Sequence, residues 1–153
     1  MTGIATIRGA RLSEREALTA LHRRSSYVWE QDRVHFDAHP EIFGVAVEAI
    51  AAGDVRVALA ADGELLGFAT VDRATGELDD LFVAPEHMRM GVGRALVEDA
   101  AARARAAGCR ELSVTAHPRN FPFYEHVGFV AAEPAATRFG PAFRMRRALP
   151  DGG

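Results

Sequence analysis

The spacing of apolar residues at the start of the chain predicts a strand followed by an amphipathic helix. Residues 4–8 alternate between apolar and polar side chains, as a half-buried strand does. Ser13, with Glu16 three positions later, predicts a capping box at the start of a helix. Leu18 and Leu21 then lie three residues apart, so they share the apolar side of that helix.

The same periodicities predict alternating helices and strands along the rest of the chain. The predicted helices cover residues 27–39, 42–52, 91–107 and 122–126, and the predicted strands cover residues 55–61, 65–71, 77–84, 112–115, 130–132 and 139–145. Pro40, Gly53 and Gly108 end three of the helices, and Asp62-Gly63 joins two of the strands in a hairpin. No repeat or linker interrupts this order, which predicts one α/β domain over residues 1–153.

Composition and charge favour a compact cytoplasmic protein. A chain of 153 residues with 48% hydrophobic residues is long enough to form one packed core. The net charge of −3 argues against a nucleic-acid partner, and no apolar run approaches the roughly 20 residues of a membrane span. Residues 1–12 lack the apolar region of a secretory signal, and the single Cys109 fits a reducing cytoplasm. All 18 basic residues are arginine, which we interpret as the bias of a GC-rich bacterial genome.

The segment 78–96 carries the strongest chemical signal in the sequence. It predicts a strand, a short loop with Gly91 and Gly93, and the first turn of a long helix. The first backbone N–H groups of a helix have no partner within the helix, and the helix dipole is positive there. The two glycines remove Cβ atoms that would keep an anion away from these amides. The segment therefore predicts a binding site for a pyrophosphate group.

Two common phosphate motifs do not fit this loop. A Walker loop has Lys followed by Ser or Thr where this chain has Arg94 and Ala95. A dinucleotide fingerprint has a third small residue where this chain has Leu96. Together with residues 81–85 (LFVAP) and residues 123–129 (FYEHVGF), however, the loop makes the chain resemble the GNAT superfamily of acetyl-CoA-dependent N-acetyltransferases. The resemblance covers residues 4–147.

The resemblance implies a fold and a set of cofactor contacts. The fold is α/β (α+β), with a mixed, mostly antiparallel, twisted sheet of six to seven strands and about four flanking helices, which splays between the fourth and fifth strands. The residues that wrap the pyrophosphate of acetyl-CoA are Met88, Arg89, Met90, Gly91, Val92, Gly93, Arg94 and Ala95. Main-chain groups of Phe82 and Val83 bind the pantetheine arm. Met88 stands where the family usually has Gln or Arg, and His117 stands where it often has Asn.

The resemblance also implies candidates for the two proton transfers of the reaction. Tyr124, beside the cofactor sulfur, protonates the departing thiolate; its alternative role is to pack the helix against the sheet. Glu77 takes the proton of the attacking amine, and Asp79, Asp80 or a chain of waters is the alternative base. Strand alternation places Glu77 and Asp79 on one face and Asp80 on the other.

The acceptor is predicted to be a primary amine of a small molecule or peptide. The family builds the acceptor wall from the region of Tyr27 and Trp29, with His35 and Phe36 beside them, although ordinary aromatic packing explains the same residues. Asp79 is a substrate-binding candidate, and the acidic residues at 77, 79 and 80 favour a cationic amine. We expect no metal, because His35 and His39 have ligand spacing but Phe36 replaces the glutamate of a zinc protease helix.

Two functional hypotheses follow. The first is an acetyl-CoA-dependent N-acetyltransferase in which the amine attacks the thioester directly in a ternary complex, because neither motif contains Cys or Ser for a covalent acetyl-enzyme. The second is a non-catalytic acyl-CoA-binding or regulatory module, which the replacements at Met88 and His117 keep open. A homodimer is compatible with either hypothesis.

Overall fold

The computed structural model describes residues 3–27, 33–38, 43–137 and 140–150. The strands are β1 (Thr6–Gly9), β2 (Val55–Leu59), β3 (Leu65–Asp72), β4 (Glu77–Val83), β5 (Glu111–Ala116), β6 (Val130–Thr137) and β7 (Gly140–Ala148). The helices are α1 (Arg15–Ser26), α2 (Arg33–Ala38), α3 (Val47–Ala51), α4 (Val92–Ala106) and α5 (Phe121–His126). Among the residues described, no helix has both the length and the apolar content that a membrane span requires.

The seven strands form one mixed sheet in the order β1-β2-β3-β4-β5-β7-β6. β1 with β2, β2 with β3, β5 with β7 and β6 with β7 pair antiparallel. β4 and β5 pair parallel, with Glu77 opposite Ser113. The predicted fold class, a mixed and mostly antiparallel sheet with flanking helices, is therefore confirmed, and the splay between β4 and β5 stays a prediction.

The chain divides into two compact units. The first unit comprises Met1–Thr70 and Asp80–Leu96, and the second comprises Val71–Asp79 and Val97–Gly153. A core cluster of the first unit is formed by apolar side chains of α1, α3, β2 and β3, together with one residue before α3 and one after β4: Leu18, Leu21, Val45, Ile50, Val55, Val57, Phe68 and Ala84. Leu18 and Leu21 lie on one side of α1, as their three-residue spacing predicts.

Gly67 on β3 allows β4 and α4 to approach this core closely. A Cβ atom at residue 67 would lie 2.8 Å from the carbonyl oxygen of Phe82 and 3.1 Å from Cγ1 of Val92. Real Cβ atoms do not approach a backbone oxygen so closely, so any side chain here would push β4 away. The strand end and the helix start that border the predicted pyrophosphate loop therefore depend on a glycine in the neighbouring strand.

The second unit buries residues of β5, β7 and the segment after α5. Leu112, Phe129 and Met145 are among its fully buried side chains. β6 lies at the edge of the sheet and is almost entirely exposed, with Pro134 in its middle. A proline cannot donate a ladder hydrogen bond, which suits an edge strand and discourages pairing with another chain.

The structure corrects several predicted boundaries. Ser13 does not cap α1: residues 12–14 form a 3-10 turn, and the N–H of Arg11 donates to Glu14 at 2.7 Å. The helix predicted over residues 42–52 covers only Val47–Ala51 among the described residues, and β6 extends to Thr137 instead of ending at residue 132. The Asp62-Gly63 hairpin is confirmed, with the N–H of Gly63 donating to the carbonyl of Ala60.

Candidate functional site

The predicted pyrophosphate loop connects β4 to α4 in the first unit. A 3-10 turn over Pro85–His87 follows the strand, and α4 begins at Val92. Arg89 has a φ of 66° and Gly91 a φ of 84°, so two residues in this short loop adopt the left-handed region. A non-glycine residue with positive φ is uncommon and tends to occur where the backbone has a binding role. The loop thus ends at the positive end of a fifteen-residue helix.

Two exposed arginines flank these backbone groups. Arg89 precedes the helix and Arg94 lies in its first turn, and neither forms an ion pair with any described residue. Met88, which replaces the usual polar residue of the family, is half-buried and extended. The loop therefore offers helix-terminal amides and two unneutralised guanidinium groups to an anion, and Arg89 supplies charge next to the position of Met88.

The ring of Phe82, near the end of β4, packs in an aromatic cluster of the first unit. It stacks on His22 with ring centroids 3.9 Å apart, and its centroid lies 5.7 Å from that of Phe68. The N–H of Gly44 donates to Nδ1 of His22 at 3.1 Å, so the neutral ring carries its proton on Nε2. Burial lowers the pKa of His22 to about 4. The sequence analysis missed this histidine, because a lone histidine in a helix gives no signal.

Tyr124 is buried in the second unit, on α5. Its ring meets Phe123 and Phe129 edge-on, with centroid distances of 5.2 and 5.3 Å. Its hydroxyl has no hydrogen-bond partner in the described part of the chain, and burial raises the pKa of Tyr124. The hydroxyl is therefore protonated at neutral pH and available to donate one hydrogen bond.

Glu77 forms an ion pair in the second unit. Nη1 of Arg144 lies 2.5 Å from Oε1 of Glu77 and 2.8 Å from the hydroxyl of Thr115. Oε2 of Glu77 is buried and has no partner among the residues described. The exposed Asp79 contributes charge beside the same arginine, and the pair with Glu77 raises the pKa of Arg144. One carboxylate oxygen of Glu77 is thus held in place, while the other is buried and has no described partner.

The other acidic candidate, Asp80, belongs to the first unit. Burial raises its pKa. A buried carboxyl group with a raised pKa is a common feature of proton-transfer sites, but also of structural networks. Asp80 therefore remains an alternative base.

His117 has a local role that the sequence analysis did not predict. It precedes the 3-10 turn Pro118–Asn120, and its Nδ1 accepts the N–H of Arg119 at 3.2 Å. This side chain caps the turn that leads into α5, so one of its two ring nitrogens is already used. An asparagine side chain at such a position would cap the turn in the same way.

The predicted acceptor wall is only partly described. Trp29 lies outside the described residues, as do the side chains of His35 and Phe36. The hydroxyl of Tyr27 donates to Oδ1 of Asp37 at 2.5 Å, and this bond raises the pKa of Tyr27. A cleft of about 450 Å³ opens beside this tyrosine and is lined by Arg23, Arg24, Tyr27, Arg33, Pro85 and Glu86. Its arginines were missed, although Arg23-Arg24 stand together at the end of a predicted helix.

One group of possible metal ligands occurs in the described ranges: Glu64, Glu86 and His87, whose ligand atoms lie within 4.8 Å of one another. Nε2 of His87 lies 3.1 Å from Oε1 of Glu64, and Arg24 pairs with Glu86 at 3.0 Å. The side chains thus already have partners in one another and in an arginine. The absence of a metal stays a prediction.

Known proteins similar to this chain are acetyltransferases. Over 61 residues it is 36% identical to a glucosamine 6-phosphate N-acetyltransferase of Trypanosoma brucei brucei, covering 40% of this chain and 42% of that protein. Over 76 residues it is 42% identical to an aminoglycoside N(6′)-acetyltransferase type 1 of Stenotrophomonas maltophilia, covering 42% of this chain and 50% of that protein. The chain thus spans half or less of the length of these curated relatives.

Solved structures share the fold over nearly the whole chain. A GCN5-related N-acetyltransferase from Rhodopseudomonas palustris aligns with a TM-score of 0.79 at 18% identity, over 97% of this chain and 98% of its own. The PaiA N-acetyltransferase from Thermoplasma acidophilum, solved in complex with coenzyme A, aligns with a TM-score of 0.70 at 21% identity, over 94% and 98%. At these identities the likeness shows the fold alone. The profile of the acetyltransferase (GNAT) domain matches residues 38–148, and the chain therefore belongs to the GNAT acetyltransferase family.

Proposed function

We propose that this protein transfers the acetyl group of acetyl-CoA to a primary amine of a small molecule or peptide. The observation that carries the proposal is the loop between β4 and α4. Its left-handed Arg89 and Gly91, the start of α4 and the guanidinium groups of Arg89 and Arg94, which have no ion-pair partner in the described part of the chain, suit the diphosphate of a coenzyme A thioester. The residues assigned to this contact are those at positions 88–95.

In the proposed reaction the amine attacks the thioester carbon directly. Main-chain groups of Phe82 and Val83 hold the pantetheine arm, as an added strand would be held, and an N–H of this segment stabilises the oxyanion that forms. The C–S bond then breaks, and the departing thiolate takes the proton of the Tyr124 hydroxyl. The absence of a hydrogen-bond partner for that hydroxyl among the described residues supports this role, because it leaves the donor uncommitted.

We assign the general base to Glu77. Its Oε1 is fixed by Arg144, and its buried Oε2 has no partner in the described ranges, which suits an oxygen that accepts a proton from a bound ammonium group. Asp80, with its raised pKa, is the alternative on the other face of β4, and an ordered water is the third. Asp79 is the acidic residue proposed to face the acceptor.

The acceptor class follows from the relatives, two of which are named for the acetylation of an amino sugar phosphate and of an aminoglycoside. We propose an amine of comparable size, with Tyr27 and Trp29 in the acceptor wall. A cytoplasmic location and a bacterial origin remain proposals from the composition. A homodimer is also a proposal.

The test of this function is the affinity of the pure protein for coenzyme A, measured by calorimetry, in two variants of Gly91. Both Gly91→Ala and Gly91→Asp carry the strain of a side chain at positive φ, but only aspartate adds a negative charge. We expect Gly91→Asp to bind coenzyme A about 100-fold more weakly than Gly91→Ala, because like charges meet at the diphosphate. Equal affinities in the two variants would place the diphosphate elsewhere.

A non-catalytic acyl-CoA-binding or regulatory module is the second candidate. It is favoured by Met88, which removes a polar contact of the loop, and by His117, whose Nδ1 already caps a turn. Release of free coenzyme A from acetyl-CoA in the presence of amines distinguishes the two functions. Tight binding of acetyl-CoA without turnover of any amine in a broad panel would favour the module.

A further inference from the structure

The cleft beside Tyr27 is strongly basic. Arg23, Arg24 and Arg33 line it together with Tyr27, Pro85 and Glu86, all within the first unit. Among the described residues that line it, the acidic side chain is Glu86, which pairs with Arg24 at 3.0 Å, and Asp37 accepts a hydrogen bond from Tyr27 beside it. Arg23 and Arg33 have no carboxylate partner among the residues described. A protein with a net charge of −3 thus places in one cleft two guanidinium groups that have no carboxylate partner in the described ranges.

Contacts with aromatic and backbone groups hold both arginines in place. The Cζ atom of Arg23 lies 5.1 Å from the ring centroid of Tyr27 and 5.9 Å from that of Phe43. Nε of Arg33 donates to the carbonyl of Tyr27 at 2.8 Å, which leaves its two terminal amino groups for a ligand. Because these contacts fix the stems, less side-chain entropy is lost when the guanidinium groups bind an anion.

The cleft includes residues of the turn that follows β4, and this position suggests which anion it binds. Pro85 and Glu86 lie between residues 82–83, assigned to the pantetheine arm, and residues 88–95, assigned to the diphosphate. With these assignments the cleft borders the stretch of cofactor between the pantetheine arm and the diphosphate, and we take the acceptor to approach from this side.

We propose that Arg23 and Arg33 bind a phosphate monoester carried by the acceptor amine. The inference rests on the proposed acetyltransferase function and names the class of its acceptor, an amine with a phosphate group. The acidic residues at 77, 79 and 80, which favour a cationic amine, suit the ammonium group of such an acceptor. Two guanidinium groups suit a phosphate dianion because each can donate two parallel hydrogen bonds.

The experiment compares the binding of glucosamine 6-phosphate and glucosamine by calorimetry in the presence of coenzyme A. The double variant carries Arg23→Gln and Arg33→Gln. The control variant carries Arg105→Gln, the same substitution at an exposed arginine of α4. We expect the wild type and the control variant to bind the phosphorylated sugar about 10- to 100-fold more tightly, because charged hydrogen bonds to the phosphate add this much affinity. We expect the double variant to lose that preference. Thermal unfolding establishes that all three proteins are folded.

A second pair of ligands identifies the source of the phosphate. Coenzyme A and 3′-dephospho-coenzyme A should each bind the double variant as they bind the wild type. Weaker binding of coenzyme A alone in the double variant would assign the cleft to the 3′-phosphate of the cofactor and overturn the proposal. Equal affinity for the two sugars, or no binding of either at millimolar concentration, would also overturn it. These measurements of binding do not require turnover. A protein that prefers the phosphorylated sugar but transfers no acetyl group would therefore contradict the proposed reaction and leave the phosphate site supported.

Discussion

The imidazole ring of His22 stacks on the ring of Phe82, with centroids 3.9 Å apart and an angle of 29° between the ring planes. His22 belongs to α1 and Phe82 to β4, so the contact links a helix to the strand segment assigned to the pantetheine arm. Nδ1 of His22 accepts the N–H of Gly44, which joins the segment before α3 to the same cluster. The ring must stay neutral to accept that hydrogen bond.

The first prediction concerns the stability of the protein at acidic pH. The pKa of His22 is about 4 in the folded protein and 6.5 ordinarily, so the unfolded chain binds the proton more readily. The contribution of the neutral ring to stability is complete above pH 6.5 and is lost as the pH falls toward 4. We expect His22 to account for a loss of about 3 kcal/mol in the free energy of unfolding over this range.

The matched variant for this measurement is His22→Phe, which keeps an aromatic ring beside Phe82 but cannot titrate. Urea unfolding at several values between pH 7 and 4 gives the free energy of unfolding of both proteins. Other groups, such as Glu14 with its lowered pKa and Asp80 with its raised pKa, contribute equally to both and cancel in the difference. Identical pH dependence in the two proteins would show that His22 does not titrate during unfolding.

The second prediction concerns the close approach at Gly67. Gly67→Ala places a Cβ atom 2.8 Å from the carbonyl oxygen of Phe82, and we expect it to lower the free energy of unfolding by about 1–3 kcal/mol. Because the strain falls on β4, affinity for coenzyme A should fall as well. Gly9→Ala is the control, since Gly9 also lies in a strand and a Cβ there meets no atom within 4 Å. A wild-type melting temperature in Gly67→Ala would show that β4 shifts at no cost.

The third prediction separates a catalytic Glu77 from a structural one. Glu77→Gln removes the base, whereas Arg144→Gln removes the ion pair and keeps the carboxylate. We expect Glu77→Gln to lower kcat/KM by about 100-fold or more. We expect Arg144→Gln to cost about 1 kcal/mol of stability, because the pair is partly exposed, and to retain more activity. If Asp80→Asn lowers kcat/KM by that factor and Glu77→Gln does not, the base is Asp80.

Local sequence patterns predicted those parts of the fold that depend on neighbouring residues. Asp62-Gly63 predicted the hairpin because the conformation of such a turn depends on its two central residues, and Gly63 adopts the positive φ that the turn requires. The loop before α4 was found for the same reason, since its glycines and the following helix are contiguous. The Ser13 cap failed because Glu14, within a competing 3-10 turn, accepts the N–H of Arg11.

Contacts between distant residues could not be predicted in this way. Glu77 and Arg144 are 67 positions apart, and their pairing depends on the strand order around β5. Likewise, Arg33 lies six positions after Tyr27, and no periodicity of the sequence indicates that its Nε donates to that carbonyl. The unpartnered Oε2 of Glu77 and the cleft lined by arginines could therefore be recognised only in the structure.

The last prediction concerns Tyr124. If its hydroxyl protonates the thiolate, Tyr124→Phe should lower kcat by about 10²- to 10⁴-fold, the range for one positioned acid. The affinity for acetyl-CoA should stay nearly unchanged, because the lost interaction matters only as charge develops on sulfur. Stability should change by less than about 1 kcal/mol, since the ring keeps its contacts with Phe123 and Phe129 and the hydroxyl loses no described partner.

The leaving group provides the control for this assignment. A thioester whose thiol has a lower pKa needs less protonation, so Tyr124→Phe should impair its turnover less than that of acetyl-CoA. The raised pKa of Tyr124 keeps the phenol protonated across the neutral range, so the activity of the wild type should show no acidic or neutral limb from this group. Wild-type kcat in Tyr124→Phe, with the chemical step shown to limit the rate, would assign the proton donor to water.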